Sequence, residues 1–160
     1  MKRKKQKTGR AQLMIELVWL VPGKGRYSSL LRRLRKATKI SLRKTKKSFH
    51  GKILVVIGDD RHMKDAKKRF FGRRVTSDVM SFSYPKAKRF IVGVPAMEIL
   101  INVRQAERQV PALKARQAIE SELVFLYIHG FLHERGFSDS TVRGKQKMLC
   151  LGERISAECA

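Results

Sequence analysis

The chain has 160 residues, about one domain's worth and enough to bury a single core. Its 37 Lys and Arg against 13 Asp and Glu give a formal charge of +24, and that self-repulsion suits a polyanionic companion, nucleic acid first and an anionic membrane surface second. A membrane span is excluded from the expectation, because the longest apolar run, "LMIELVWLV", is interrupted by Glu16 and falls short of about 18–20 residues.

The opening "MKRKKQKTGR" reads as a flexible basic arm over residues 1–10, ahead of one domain over 11–160. No secretory apolar stretch follows it, and it lacks the spacing of a transit peptide. Residues 1–50 hold seventeen Lys or Arg and one acid, Glu16, so the positive charge gathers in the amino-terminal third. Lys4, Lys5, Arg32, Arg33, Arg35, Lys36, Lys39 and Arg43 are the expected nucleic-acid contacts. Only Cys150 and Cys159 occur, which suits a reducing cytoplasm better than a disulfide scaffold.

"QLMIELVWLV" has a strand's apolar density and "PGKG" ends it. In "SSLLRRLRKATKISLRKTKK", Leu30, Leu31, Leu34, Ala37 and Leu42 recur at helical spacing, with Ser28 or Ser29 as cap. "KILVVIG" is a buried strand, "DDRHMKDAKKRFF" a helix started by Asp59 or Asp60, and "SDVMSFSYP" a strand stopped by Pro85. "RFIVGVPAMEIL" is another strand, with Pro95 marking an edge or bulge. Helices follow in "NVRQAERQ", in "ALKARQAIESELVFLYIHGFLHERG" up to Gly136, and in "STVRGKQKMLCLGERISAEC". The order predicts an α+β domain, a small mixed sheet of about four strands covered by helices on one side.

The stretch "LYIHGFLHERGFSDS" carries the chemistry. His129 and His133 lie four apart and so share a helix face, and Gly136 lets the chain turn so that Asp139 can return to the same point. Two nitrogens and a carboxylate oxygen leave a fourth position for water, as a catalytic zinc ion requires. The plainer alternatives are a chance histidine pair and an Asp139 that caps the last helix. His-x-x-x-His-x-x-Gly-x-x-Asp is also the skeleton of the metzincin proteases, but their general base after the first histidine is replaced by Gly130. Glu134 does not substitute, since it points about 100° away from His133 on a helix.

"HGFLHERGFSD" and, upstream, "SDVMSF" resemble the YbeY family of metal-dependent endoribonucleases, with signatures His-Gly-x-Leu-His-x-x-Gly-Tyr-Asp-His and Thr-Asp-Val-Leu-Ser-Phe. Gly93, Gln105, Ala106, Met148 and Glu153 keep the spacing, so the resemblance covers about residues 50–155. It implies a compact α+β fold, one zinc ion and cleavage of single-stranded RNA. The implied setting is rRNA maturation at the 3′ end of the small-subunit rRNA and ribosome quality control, with rRNA and the small ribosomal subunit as partners. It also implies that His129, His133 and Asp139 are the metal ligands, with Asp139 in place of the family's third histidine. That carboxylate adds negative charge, lowers the Lewis acidity of the ion and widens metal choice toward manganese or another divalent ion.

Three further departures stand out. The family's phosphate-handling arginine, seven residues before Asp78, falls on Phe71, leaving Arg69, Arg73 and Arg74 as the nearby candidates. The acid that follows the strand glycine falls on Val94, and the Asp before the third ligand on Ser138. Asp78 either ties its strand to the histidine helix or orients a metal ligand by bonding to it from behind. His50 and His62 receive no role. Both a metal-activated water and the RNA 2′-hydroxyl suit as nucleophile, and an RNA- or ribosome-binding assembly factor that cleaves weakly is the alternative function.

Overall fold

A computed structural model describes residues 13–85, 93–111 and 116–160. The basic arm with Lys4 and Lys5, and residues 89–92 of the strand expected before Pro95, lie outside the described residues. Strand β1 (Met14–Trp19) leads through a 3-10 turn at Lys24–Tyr27 into helix α1 (Leu30–Thr45). Then come β2 (Lys52–Gly58), α2 (Asp60–Phe71), β3 (Val79–Ser83), β4 (Met97–Asn102), α3 (Val103–Gln109), α4 (Arg116–Glu134) and α5 (Val142–Cys159).

The sheet runs β1-β2-β4-β3. β1, β2 and β4 are parallel, and β3 joins β4 antiparallel with Val79 opposite Ile101. The period of two along a strand sorts the side chains. Ile53, Val55, Ile57, Met97, Ile99 and Ile101 enter the main core with α1, α4 and α5, whereas Val56 and Leu100 meet Met80 of β3 and Met63 of α2. Helices therefore cover both faces, not one as expected. The reason is that β2 and β4 are apolar at nearly every position, as buried parallel strands are.

On α1 the positions Leu30, Leu34, Ala37 and Ile40 form the buried stripe. Arg33 belongs to it too. Only 8% exposed, Arg33 donates to the Ser121 hydroxyl at 3.1 Å and lies 3.8 Å from the Glu120 carboxylate. This corrects its expected place among the nucleic-acid contacts, because its charge is neutralised inside the fold. Ser29 stands at the helix start, yet its hydroxyl donates to Glu120 and makes no side-chain cap bond. Arg32, Arg35, Lys36, Lys39 and Arg43 remain exposed, with Arg43 paired to Glu158.

Asp59 caps α2 as expected, accepting from the backbone N–H groups of Arg61 and His62 at 3.1 Å each. Those bonds hold its carboxyl below the ordinary range. Helix α4 is enclosed by the sheet, α1 and α5, so Leu123, Val124, Leu126, Tyr127, Ile128, Phe131 and Leu132 are all buried around it. Thr38 donates to the Leu34 carbonyl at 2.8 Å, which leaves its oxygen to accept from the buried Tyr127 hydroxyl at 2.6 Å. The result is a central helix with a partly exposed strip that runs from Ala118 through Glu122 and Phe125 toward its C-terminal end. The two histidines occupy it.

Candidate metal centre

His129 and His133 are both half-buried, and their Nε2 atoms lie 3.1 Å apart. The Asp139 carboxylate oxygen Oδ2 stands 3.9 Å from the first nitrogen and 3.5 Å from the second. A tetrahedral ion with bonds of 2.0–2.1 Å sets its donor atoms about 3.3 Å apart. The three donors bracket that spacing, all within 4.8 Å of one another. Burial and the neighbouring His133 pull the His129 pKa down, which favours the neutral ring. The neutral imidazole is the form that offers a lone pair to a metal.

The turn that returns Asp139 has an identifiable cause. Gly136 takes φ +88 and donates to the His133 carbonyl at 2.9 Å, while Phe137 N–H reaches back to the Leu132 carbonyl at 3.1 Å. That pair of bonds is a Schellman ending, which requires the left-handed residue and fixes the exit direction of the chain. The cap of α5 is Thr141, whose hydroxyl accepts from Gly144 N–H at 3.0 Å. Asp139 is therefore not the cap. Position 144 calls for glycine because a Cβ there would lie 2.5 Å from the Ser138 carbonyl oxygen. The loop carrying Asp139 thus rests directly on the first turn of α5.

Gly130 faces the sheet, where a Cβ would meet Ile99 and Val79 methyls at 3.2 Å. The helix packs close to the sheet there, and the protease's base has no counterpart. Glu134 points elsewhere and accepts from the Ser81 hydroxyl at 2.9 Å, tying α4 to β3.

A pocket of about 300 Å³ opens around the three donors. Val79 and Ser81 line it from one side of β3 and Met80 from the other, so it wraps the outer edge of that strand. Phe71 and Lys67 of α2 and Asp78 complete the wall. Arg69, Arg73 and Arg74 do not line it. Arg69 lies over the Phe70 ring, Arg74 is 3.5 Å from Asp65, and Arg73 is exposed outside the pocket. Among the described residues the cation lining the pocket is Lys67, which sequence reading missed although it precedes Phe71 by one helical turn and so shares its face.

Asp78 accepts from Val79 N–H at 2.7 Å, and its carbonyl accepts from Asn102 N–H at 2.8 Å. Asn102 also went unnoticed. Fully buried, it donates to Asp60 at 2.7 Å and to the Ser77 carbonyl at 3.1 Å, and its own oxygen accepts from Arg104 and Gln105 N–H at the start of α3. An Asn closing a strand and opening a helix was the available signal. Hydrogen bonds from Arg108 and Asn102 hold the Asp60 carboxyl well below the usual carboxylate range.

A family model described as endoribonuclease YbeY matches residues 24–160. The chain belongs to that family. The match begins well before the stretch 50–155 that the motifs cover, so α1 is part of the YbeY pattern. Endoribonuclease YbeY of Onion yellows phytoplasma (strain OY-M) is 37% identical over 82 residues, 49% of this chain and 53% of that one. The Acholeplasma laidlawii (strain PG-8A) endoribonuclease YbeY is 31% identical over 101 residues, 63% of this chain and 69% of that one. The chain thus spans about half to two thirds of the length of these curated relatives. A solution structure from Thermotoga maritima matches with a TM-score of 0.57 at 20% identity, covering 91% of this chain and 89% of that one. At that identity the likeness concerns the fold. Among the described residues no helix is long and apolar enough to cross a membrane.

Proposed function

We propose that the chain is a zinc-dependent endoribonuclease specific for single-stranded RNA. In this reading it acts in maturation of the 3′ end of small-subunit rRNA and in ribosome quality control, in the cytoplasm and with the small ribosomal subunit as partner. It does so as one domain over residues 11–160 with the basic arm 1–10 adding RNA affinity. The observation that carries the reading is the convergence of His129, His133 and Asp139 in an open pocket on a chain of net charge +24. Two unpaired cysteines, Cys150 and Cys159, suit the reducing compartment.

The donor set fits zinc, and the carboxylate also suits manganese or another divalent ion. When bound, such an ion supplies Lewis acidity toward a phosphate oxygen and lowers the pKa of water. The protein's own contributions are separate. The buried α4 holds both imidazoles on one face, Asp139 contributes from the rim, and Lys67 neutralises phosphate charge from α2. Arg32, Arg35, Lys36, Lys39 and Arg43 offer the broader cationic face to the RNA. Attack by water leaves a linear phosphate monoester, whereas attack by the RNA 2′-hydroxyl leaves a 2′,3′-cyclic phosphate and a free 5′-hydroxyl.

The test compares the full chain with a His129→Ala/His133→Ala variant on single-stranded rRNA segments, with and without added zinc. Metal-dependent cleavage by the native chain alone is the expected result, and equal cleavage by both removes the enzyme reading. A second reading, an RNA- or ribosome-binding assembly factor that cleaves weakly, is favoured by the Phe71 ring in the pocket wall where the family pattern has arginine. Salt-sensitive RNA binding retained by both proteins, without cleavage, supports it.

A further inference from the structure

Phe71 ends α2 with 61% of its surface exposed, and Phe70 beside it is 54% exposed. Packing does not account for them. The buried residue of α2 is Met63, and the two rings instead gather about Phe82 of β3, at centroid distances of 4.6 Å for Phe70 and 6.3 Å for Phe71. An exposed aromatic group of this kind marks a contact surface. Its surroundings say which kind.

The two acids of α2 are already engaged, Asp60 with Arg108 and Asp65 with Arg74, whereas Lys67 and Lys68 enter no ion pair among the described residues. Aromatic faces interleaved with unneutralised cations are how proteins hold single-stranded nucleic acid. Phe71 and Lys67 also line the same pocket as His129, His133 and Asp139. A pocket of about 300 Å³ admits a small moiety and excludes a folded domain. Bases within a duplex are stacked on both sides and offer no free face, but an unpaired base does.

We propose that Phe71 is a stacking platform for an unpaired base, and that Lys67 holds the adjoining phosphate, so that single strands are seated beside the metal centre. The inference rests on the reading that the ligand is RNA. It assigns a positioning role to a residue that otherwise looks like a lost arginine. Stacking tolerates every base, so the grip selects for strandedness and not for sequence.

The experiment measures binding, with no cleavage step. Full-length protein, stripped of metal by chelator, is titrated into a short single-stranded RNA containing 2-aminopurine and into a matching duplex, over a series of salt concentrations. Phe71→Ala and Phe71→Leu are expected to weaken single-strand binding by about tenfold, and Phe71→Trp to retain it. These variants leave duplex affinity and salt slope unchanged. Lys67→Ala is expected to reduce the slope of log K against log salt by about 0.7. Native affinity in the Leu variant, or equal losses on single strand and duplex, overturns the proposal. So does loss in Phe71→Ala of binding to anionic vesicles with RNA binding intact, which assigns the rings to a membrane. An inactive chain that passes this test refutes only the endoribonuclease reading. A cleaving chain that fails it loses only the platform.

Discussion

Changing Gly144 to Ala should weaken metal binding without touching a ligand. The added Cβ would stand 2.5 Å from the Ser138 carbonyl oxygen and 3.0 Å from the Thr141 hydroxyl oxygen. Carbon and oxygen settle no closer than about 3.3 Å even in weak C–H···O contacts, so the carbonyl must retreat by close to 1 Å. Ser138 is the residue before Asp139, and the carboxylate moves with it. Zinc–ligand distances tolerate about ±0.2 Å, so the third donor leaves the position that the two imidazoles define. A loss of about 10–100-fold in zinc affinity is expected, the range for disturbing groups that orient ligands. Folding has an opposing term, since Ala replaces Gly in a helix with a gain of up to about 1 kcal/mol, less in a first turn. The metal-free Tm should therefore move by no more than a few degrees, at roughly 2–4 °C per kcal/mol for this chain length. Competition of metal-free protein with a chromophoric chelator, beside a thermal melt of the same sample, separates the two effects. Zinc affinity equal to that of the native chain, with the melt unchanged, would refute the coupling of Gly144 to Asp139. The Asp139→Ala variant gives the limiting loss against which the Gly144 effect is read.

Asn102→Ala removes a buried amide that bonds three segments, and should cost about 2 kcal/mol, or roughly 4–8 °C in Tm; an unchanged melt would mean that the network contributes nothing net. The Asp60 carboxyl, held low by Arg108 and Asn102, contributes stability that is complete above the ordinary carboxylate pKa of about 3.9. That contribution is lost as pH falls through this value toward the depressed one in the folded chain. Urea midpoints between about pH 7 and pH 3 should fall less steeply in Asp60→Asn than in the native protein; parallel curves would show that another carboxylate governs acid sensitivity.

Strand and helix order were legible because the segments obey clean periods: alternation in β3, and the Leu30, Leu34, Ala37 stripe in α1. That same stripe contained Arg33, three after Leu30 and four before Ala37, but its charge argued for the surface. Position on the helix won because Glu120 and Ser121, nearly ninety residues away, supply its partners. The histidine pair was legible from spacing alone. Asp139 as a cap was equally consistent with the sequence, and only the geometry of Thr141 and Gly144 separates the alternatives. Lys67 lay hidden for a different reason. Its closeness to the histidines depends on how α2 crosses the sheet, which no local pattern encodes.

The place of β3 at the sheet's end has a consequence for self-association. No described strand pairs with its outer side, and an unpaired edge is a template on which another chain can add a strand. Here the pocket around His129, His133 and Asp139 opens on that seam. β3 is only five residues long, Pro85 interrupts hydrogen bonding just beyond it, and Lys67 lines the pocket beside it. Its shortness and the proline beyond it limit the seam as a template for a foreign strand.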